Sequence, residues 1–161
     1  MNMFHSMNVT SSALTAQRLR MDVISSNMAN VDTTRGEYKK DEVVNGKLVK
    51  AHWEPYRRKT VELAPKDASF NSLLNTAMGN GGTIGDGVKV SRIKEDTTTP
   101  FKKVYDPSNP DADKDGFVNM PNVDPLREMV DLISATRSYE ANVTVFNSSK
   151  AMMMKSLEIG R

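Results

Sequence analysis

MNVTSSALTAQRLRMDVISSNM, residues 7 to 28, places Met7, Leu14, Met21 and Met28 seven residues apart, and LISATRSYEANVTVFNSSKAMM, residues 132 to 153, does the same with Leu132, Tyr139, Phe146 and Met153. Met3, Ile24 and Val31 flank the first line, and Met129, Val143 and Leu157 flank the second. A seven-residue apolar period keeps such side chains on a narrow helical seam that a facing helix can cover. The two ends of the chain are therefore expected to form long helices that pair as an antiparallel coiled coil.

Punctuation supports the boundaries. No Pro or Gly falls between Met3 and Asn30, a run of roughly 40 Å if helical at about 1.5 Å per residue. Asn30, Asp32, Thr33 and Thr34 then end it. At the other end Asp124 is placed to cap and Pro125 to open a helix, since its missing N–H costs nothing there. That helix runs to Ile159, with Gly160 closing it.

Each helix has more than one apolar side. Val9, Ala16 and Val23, with Leu19 near them, form a second line on the first helix, and Ala141, Val145 and Met152 lie off the main seam of the last. A helix in a two-helix hairpin needs only one such face. Polar residues interrupt both seams, at Thr10, Gln17, Thr136 and Lys150. Two arrangements fit: a three- or four-helix core with imperfect positions, or a helix pair packed against copies or relatives of itself.

Eight of the nine glycines and six of the seven prolines lie between the helices, so the middle is a different kind of structure. Val43-Val44, Asn45-Gly46 and Lys47-Leu48-Val49 read as a hairpin, because Asn-Gly tolerates the left-handed angles of a tight turn. Further strands are predicted at Glu54–Leu63, Gly87–Lys94 and Phe101–Tyr105, and a short helix at Ser69–Met78, with a loop over Gly79–Gly87. The fold class is α+β: residues 1–34 and 121–161 as the helical domain, and 35–120 as a small β-rich lobe.

Composition narrows the function. With 161 residues, 26% charged, and a net charge of +2, there is no broad basic footprint for nucleic acid. Cysteine is absent, which removes disulfides and thiolate chemistry together. No run of eighteen apolar residues exists and the first twenty residues lack the pattern of a cleaved secretory signal, so neither membrane insertion nor such a signal is expected.

Catalytic and ligand motifs are weak throughout. Asp111, Asp113, Asp115 and Gly116 reproduce the first half of a calcium-binding loop, but the twelfth position is Asn122 where a bidentate Glu belongs, and Pro107 and Pro110 occupy the incoming helix. A solvated acidic turn is the simpler reading. The glycines from Gly79 to Gly87 match no phosphate-cradling spacing. His5 and His52 stand far apart, and no carboxylates form an acid–base pair. No catalytic, cofactor or metal residues are expected. Arg57-Arg58-Lys59 is a basic patch suited to an acidic neighbour or to guarding an exposed strand edge. Met152-Met153-Met154 supplies flexible thioethers that adapt to irregular partners or to plain core packing.

Ser12-Ala13-Leu14-Thr15-Ala16-Gln17 running into Ser25-Ser26-Asn27-Met28-Ala29-Asn30-Val31-Asp32-Thr33-Thr34-Arg35 resembles the N-terminal signature of bacterial flagellar rod and hook axial proteins. Pro55-Tyr56-Arg57-Arg58-Lys59, Val104-Tyr105-Asp106-Pro107, Pro110-Asp111-Ala112-Asp113, Pro121-Asn122-Val123-Asp124-Pro125 and Met129 to Gly160, including Arg137-Ser138-Tyr139-Glu140-Ala141-Asn142, resemble the proximal rod members of that family. The segment Gly36–Trp53 looks longer than in the family. Where many relatives have Thr-x-Gly-Tyr/Phe, Arg35 and Glu37 intervene here before Tyr38.

The resemblance implies a non-enzymatic structural subunit of the flagellar basal-body rod, the drive shaft between motor ring and hook, with terminal helices forming an inner tube layer. It implies as partners copies of the chain, other rod proteins, the adaptor at the MS-ring base of the rod, and the flagellar type III export apparatus, which needs no cleaved signal. The assembly interface is then expected on Met7, Val9, Leu14, Ala16, Met21, Val23, Met28, Met129, Leu132, Tyr139, Val143, Phe146 and Met153. Another rod or adaptor component of the same apparatus is the alternative, and a calcium-binding module a more distant one.

Overall fold

The computed structural model describes residues 3–40, 42–44, 47–49, 52–66, 74, 77–78 and 87–159. Helix α1 spans Met3–Ala29 and helix α2 spans Pro125–Ile159, 27 and 35 residues long. The Asp124 carboxylate accepts the Leu126 N–H at 3.1 Å and its carbonyl accepts the Glu128 N–H at 3.0 Å. Asp124 thus caps the helix that Pro125 opens, as expected. Beyond Ala29 the Asn30 N–H still reaches back to Ser26, and Thr33 to Asn30, before the chain turns away.

Between the helices run eight short strands: β1 (Glu37–Lys39), β2 (Glu42–Val44), β3 (Lys47–Val49), β4 (His52–Glu54), β5 (Lys59–Pro65), β6 (Val88–Glu95), β7 (Lys102–Tyr105) and β8 (Phe117–Met120). They form four separate two-stranded ribbons, β1–β4, β2–β3, β5–β6 and β7–β8. In the expected hairpin Val44 faces Lys47, and its Asn45-Gly46 turn lies outside the described residues. The strand expected from Glu54 begins only at Lys59. Pro55, with no N–H to give a ladder, and the irregular Tyr56–Arg58 that follows it separate β4 from β5.

Lys66 N–H donates to the Gly87 carbonyl at one end of β5–β6 and Asp96 N–H to the Arg58 carbonyl at the other, so this ribbon is antiparallel. Lys59 then faces Glu95 and Glu62 faces Arg92, with charged contacts of 3.7 and 2.6 Å. Strands β1 and β8 were missed in the sequence, as was β4 apart from Glu54. They are short, and Tyr38–Trp53 and Tyr105–Phe117 ring pairs, with centroids 5.1 and 5.3 Å apart, carry the cross-strand packing. Of the helix expected over Ser69–Met78, Leu74 and Ala77 are helical and the Met78 N–H bonds the Leu74 carbonyl at 2.9 Å. Its other residues, and most of the Gly79–Gly87 loop, lie outside the described residues.

The chain forms two compact units. One comprises Met1–Asp22, Val61–Ile93 and Asp131–Arg161, and the other Val23–Thr60 and Lys94–Val130. In the first, the helices meet through Arg20–Asp131 at 3.7 Å and through the Thr136 hydroxyl, which donates to Met21 Sδ at 3.6 Å. In the second they meet through Asn27 and Glu128 at 3.0 Å. Residue numbers fall on α1 as they rise on α2 between the Met21 and Asn27 contacts. The two helices therefore pack antiparallel.

The covered faces correct the periodicity reading. On α1, Ala16 and Val23 are buried, with Thr10, Ile24 and Asn27, whereas Met7, Leu14, Met21 and Met28 are only half-covered. On α2, the flanking positions Met129 and Leu157 are exposed. The inward stripe is Glu128, Leu132, Ala135, Tyr139, Asn142, Phe146, Ser149 and Met153, alternating four- and three-residue steps. Small side chains such as Ala16, Ala135 and Ser149 let two backbones approach closely, so they bury more completely than the long thioethers beside them. Apolarity alone does not reveal that preference.

Candidate assembly interface

The deepest part of the second unit is polar. Asn27, 1% exposed, uses its whole amide. Its Nδ2 donates to the Lys59 carbonyl at 2.8 Å and to Glu128 Oε2 at 3.0 Å, and its Oδ1 accepts from Lys59 N–H at 2.9 Å and Tyr56 O–H at 3.0 Å. Glu128, wholly buried, takes a second bond at Oε1 from Arg58 Nε at 2.6 Å. Asn122 continues the chain: its Oδ1 accepts the Arg58 N–H at 2.8 Å and its Nδ2 donates to the Asp96 and Thr99 carbonyls. One network therefore ties the last turns of α1, the Tyr56–Lys59 connector, the Asp96–Thr99 turn and the first turn of α2. A buried carboxylate is tolerable only with partners of this kind.

Close backbone packing completes the anchor. Gly36 N–H donates to the Glu54 carbonyl at 2.8 Å and Tyr56 N–H to the Thr33 carbonyl at 3.3 Å. A Cβ on Gly36 would stand 2.6 Å from Tyr56 N, so the residue after Arg35 must be glycine at this approach. Pro121, Val118 and Val123 fill the apolar side of the unit.

The basic patch meets acidic neighbours. Arg58 pairs with Glu128, Lys59 lies 3.7 Å from Glu95, and Arg57 lies 3.5 Å from Glu54 with its guanidinium 4.4 Å above the Phe101 ring. The acidic loop connects β7 to β8. Asp111 Oδ2 accepts from the Thr34 hydroxyl at 2.8 Å and Oδ1 from Arg35 Nε at 2.7 Å. The Arg35 bond first, and the Thr34 bond next, hold this carboxyl below the usual carboxylate range. Gly116, at φ +77°, makes the turn back into β8, and its N–H closes on the Asp113 carbonyl at 2.8 Å. The spacing that resembles a calcium loop is used here for a hairpin connection. Among the described residues, no cluster of three or more His, Asp or Glu is placed to hold a metal ion.

Of the residues expected at the assembly interface, Ala16 and Val23 are covered within the chain. Met7, Val9, Leu14, Met21, Met28, Leu132, Tyr139, Val143, Phe146 and Met153 are half-buried, and Met129 is 44% exposed. Sequence reasoning passed over Asn27, Glu128 and Asn122. The one signal was a Glu four residues before Leu132, one helical turn away and so on the same side of the helix. On its outward side α2 carries Leu126, Val130 and Ile133, each more than 60% exposed, and towards its end Met152, Met154, Leu157 and Ile159. Exposed apolar residues spaced three and four apart form a stripe that a partner can cover. No described helix is long and apolar enough to cross a membrane.

Comparison with known proteins matches each helix to a flagellar basal-body rod family model. Residues 7–36 match the family "Flagella basal body rod protein", and residues 114–159 match "Flagellar basal body rod FlgEFG protein C-terminal". The flagellar basal-body rod protein FlgC of Bacillus subtilis is 58% identical over 161 residues, all of both chains. That of Borreliella burgdorferi is 45% identical over 99% of this chain and 98% of its own, and that of Escherichia coli O157:H7 is 40% identical over 96% and 95%. With identity at this level running the full length through both helices and the ribbons between them, this chain belongs to the FlgC family of flagellar basal-body rod proteins.

Proposed function

We infer that this chain is a structural, non-catalytic subunit of the proximal rod of the flagellar basal body. The structural observation that carries the reading is the pair of long antiparallel helices whose outward faces keep apolar side chains that the chain itself leaves uncovered. A torque-bearing shaft needs many identical contacts, and each apolar stripe covered by a neighbour contributes about 25 cal/mol per Å² removed from water. Ala16 and Val23 hold the pair together. The half-buried line from Met7 to Met28, with Met129, Val143 and Phe146, meets copies of the chain and other rod proteins. The helix pair acts as a coiled coil in the inner wall, and the ribbons lie outside it.

The subunit's partners further include the adaptor at the rod base and the flagellar type III export apparatus that delivers it. The test is a deletion strain complemented with the tagged chain: purified basal bodies should contain the tag, and imaging should show the rod absent without it. A normal rod in the deletion strain would refute the reading.

A further inference from the structure

We propose that a cleft within the second unit binds a neutral six-membered sugar ring that carries an acetamido group. The cleft, about 230 Å³, lies between the turn after α1, the end of β4 and the β7–β8 ribbon, and every residue lining it belongs to that unit. Pro55 and Val118, both buried, supply its apolar floor. Trp53 supplies a wall, and the chain's one tryptophan is 51% exposed there. The Tyr38 ring braces the indole at 5.1 Å without lining the cleft. Backbone bonds from Gly36 N–H to the Glu54 carbonyl and from Tyr56 N–H to the Thr33 carbonyl bracket Thr34-Arg35 and Pro55. The walls are therefore set before a ligand arrives, which lowers the ordering cost of binding.

The rim selects the ligand. Arg35 and Asp111 are the one cation and the one anion of the lining. They pair with each other: Arg35 Nε donates to Asp111 Oδ1 at 2.7 Å, while the Thr34 hydroxyl holds Oδ2 at 2.8 Å. Their charges cancel, so a phosphate or carboxylate finds no spare cation and a neutral ligand is favoured. The volume lies below the roughly 300 Å³ at which sites for drug-sized molecules begin, and that limits the occupant to a single ring. Two polar groups at the edge have no hydrogen-bond partner among the described residues, the Asn119 side-chain amide and the Trp53 indole N–H. A pyranose answers this combination. Its C–H face stacks on an indole, and its hydroxyls both donate and accept around the ring edge. An acetamido group, with one N–H and one C=O, pairs with Asn119 Oδ1 and Nδ2 together. A nucleotide would also stack on Trp53, but its phosphate gains nothing from the cancelled rim.

The single tryptophan gives one indole N–H resonance, which reports directly on the cleft. Titrating the purified full chain with N-acetylglucosamine to about 50 mM should shift that resonance saturably, with a Kd of about 1–10 mM, the range one small ring reaches in an open cleft. Asn119→Ala should weaken binding about fivefold, the worth of a lost hydrogen-bonded pair. Asn119 lies on the exposed side of β8, so the rest of the spectrum should stay in place. Glucose, which lacks the acetamido group, should bind the unaltered chain about fivefold more weakly, a comparison that does not depend on a variant folding. No saturable shift overturns the site. Equal affinity for the two sugars, or an Asn119→Ala chain that binds N-acetylglucosamine as tightly as the parent, overturns the assignment of the acetamido group to Asn119 and with it the proposal.

Discussion

Replacing Glu128 with Leu should be among the most costly single changes in the second unit. The carboxylate is fully buried and joins Arg58 Nε at 2.6 Å to Asn27 Nδ2 at 3.0 Å. Removing it takes away the carboxylate that Arg58 Nε meets at 2.6 Å, from a guanidinium whose side chain is only 13% exposed. Breaking a buried pair from one side costs about 3–5 kcal/mol, and the partial access of Arg58 to water sets the expectation near 3. Asn27 keeps the Lys59 carbonyl as acceptor, so its amide adds little to the loss. Arg58→Met together with Glu128→Leu removes both charges, and the pair should then cost about 2 kcal/mol less than the sum of the singles. Trp53, the one tryptophan, lies in this unit, so its fluorescence during urea denaturation reports on the right part of the chain. A Glu128→Leu variant within about 1 kcal/mol of the parent, or strictly additive singles, would refute the account of the anchor.

Three further outcomes are expected. Gly36→Ala should destabilise the same unit by about 1–3 kcal/mol in the same assay, since the added Cβ meets backbone atoms that no rotamer change can move; an unchanged midpoint would contradict the close approach. Asp111, bonded by Arg35 and Thr34, and Asp96, bonded chiefly by the Thr99 hydroxyl and then its N–H, both have folded pKa values lowered from the ordinary range. Their contribution is therefore fully present above the unfolded value of about 4 and lost as pH falls through the folded values; urea midpoints measured from pH 7 to pH 3 should drop at the acid end, and less so in an Asp96→Asn, Asp111→Asn variant. Phe146→Glu should abolish swimming while leaving Trp53 fluorescence of the purified chain unchanged, and normal motility would remove Phe146 from the assembly role.

The helices were legible because their signals are local and repeated: an unbroken run from Met3, a cap at Asp124, a proline at the first turn of α2. The ribbons were partly legible. Asn45-Gly46 announces a hairpin whose strands are present, while β1 and β8 are three and four residues long and owe their pairing to aromatic contacts across the ribbon. The face each helix buries was the hardest to read. Hydrophobicity scales favour Met and Leu, but close approach of two helices favours Ala16, Ala135 and Ser149, and the line that carries Glu128, Ala135, Asn142 and Ser149 is small or polar and gives no apolar signal. Arg58 is 70 residues from Glu128, and no pattern along the chain links them.

The contact between Asn27 and Glu128 spans 101 positions, whereas β2–β3, β1–β4 and β7–β8 each close over a short stretch of sequence. Loop closure of that length is slow relative to hairpin formation. These three ribbons are therefore expected to close before the helix pair, and the first helix must wait for the last segment of the polypeptide before its covered side is dry. Any surface that the two helices build together therefore stays incomplete until the last of them is in place.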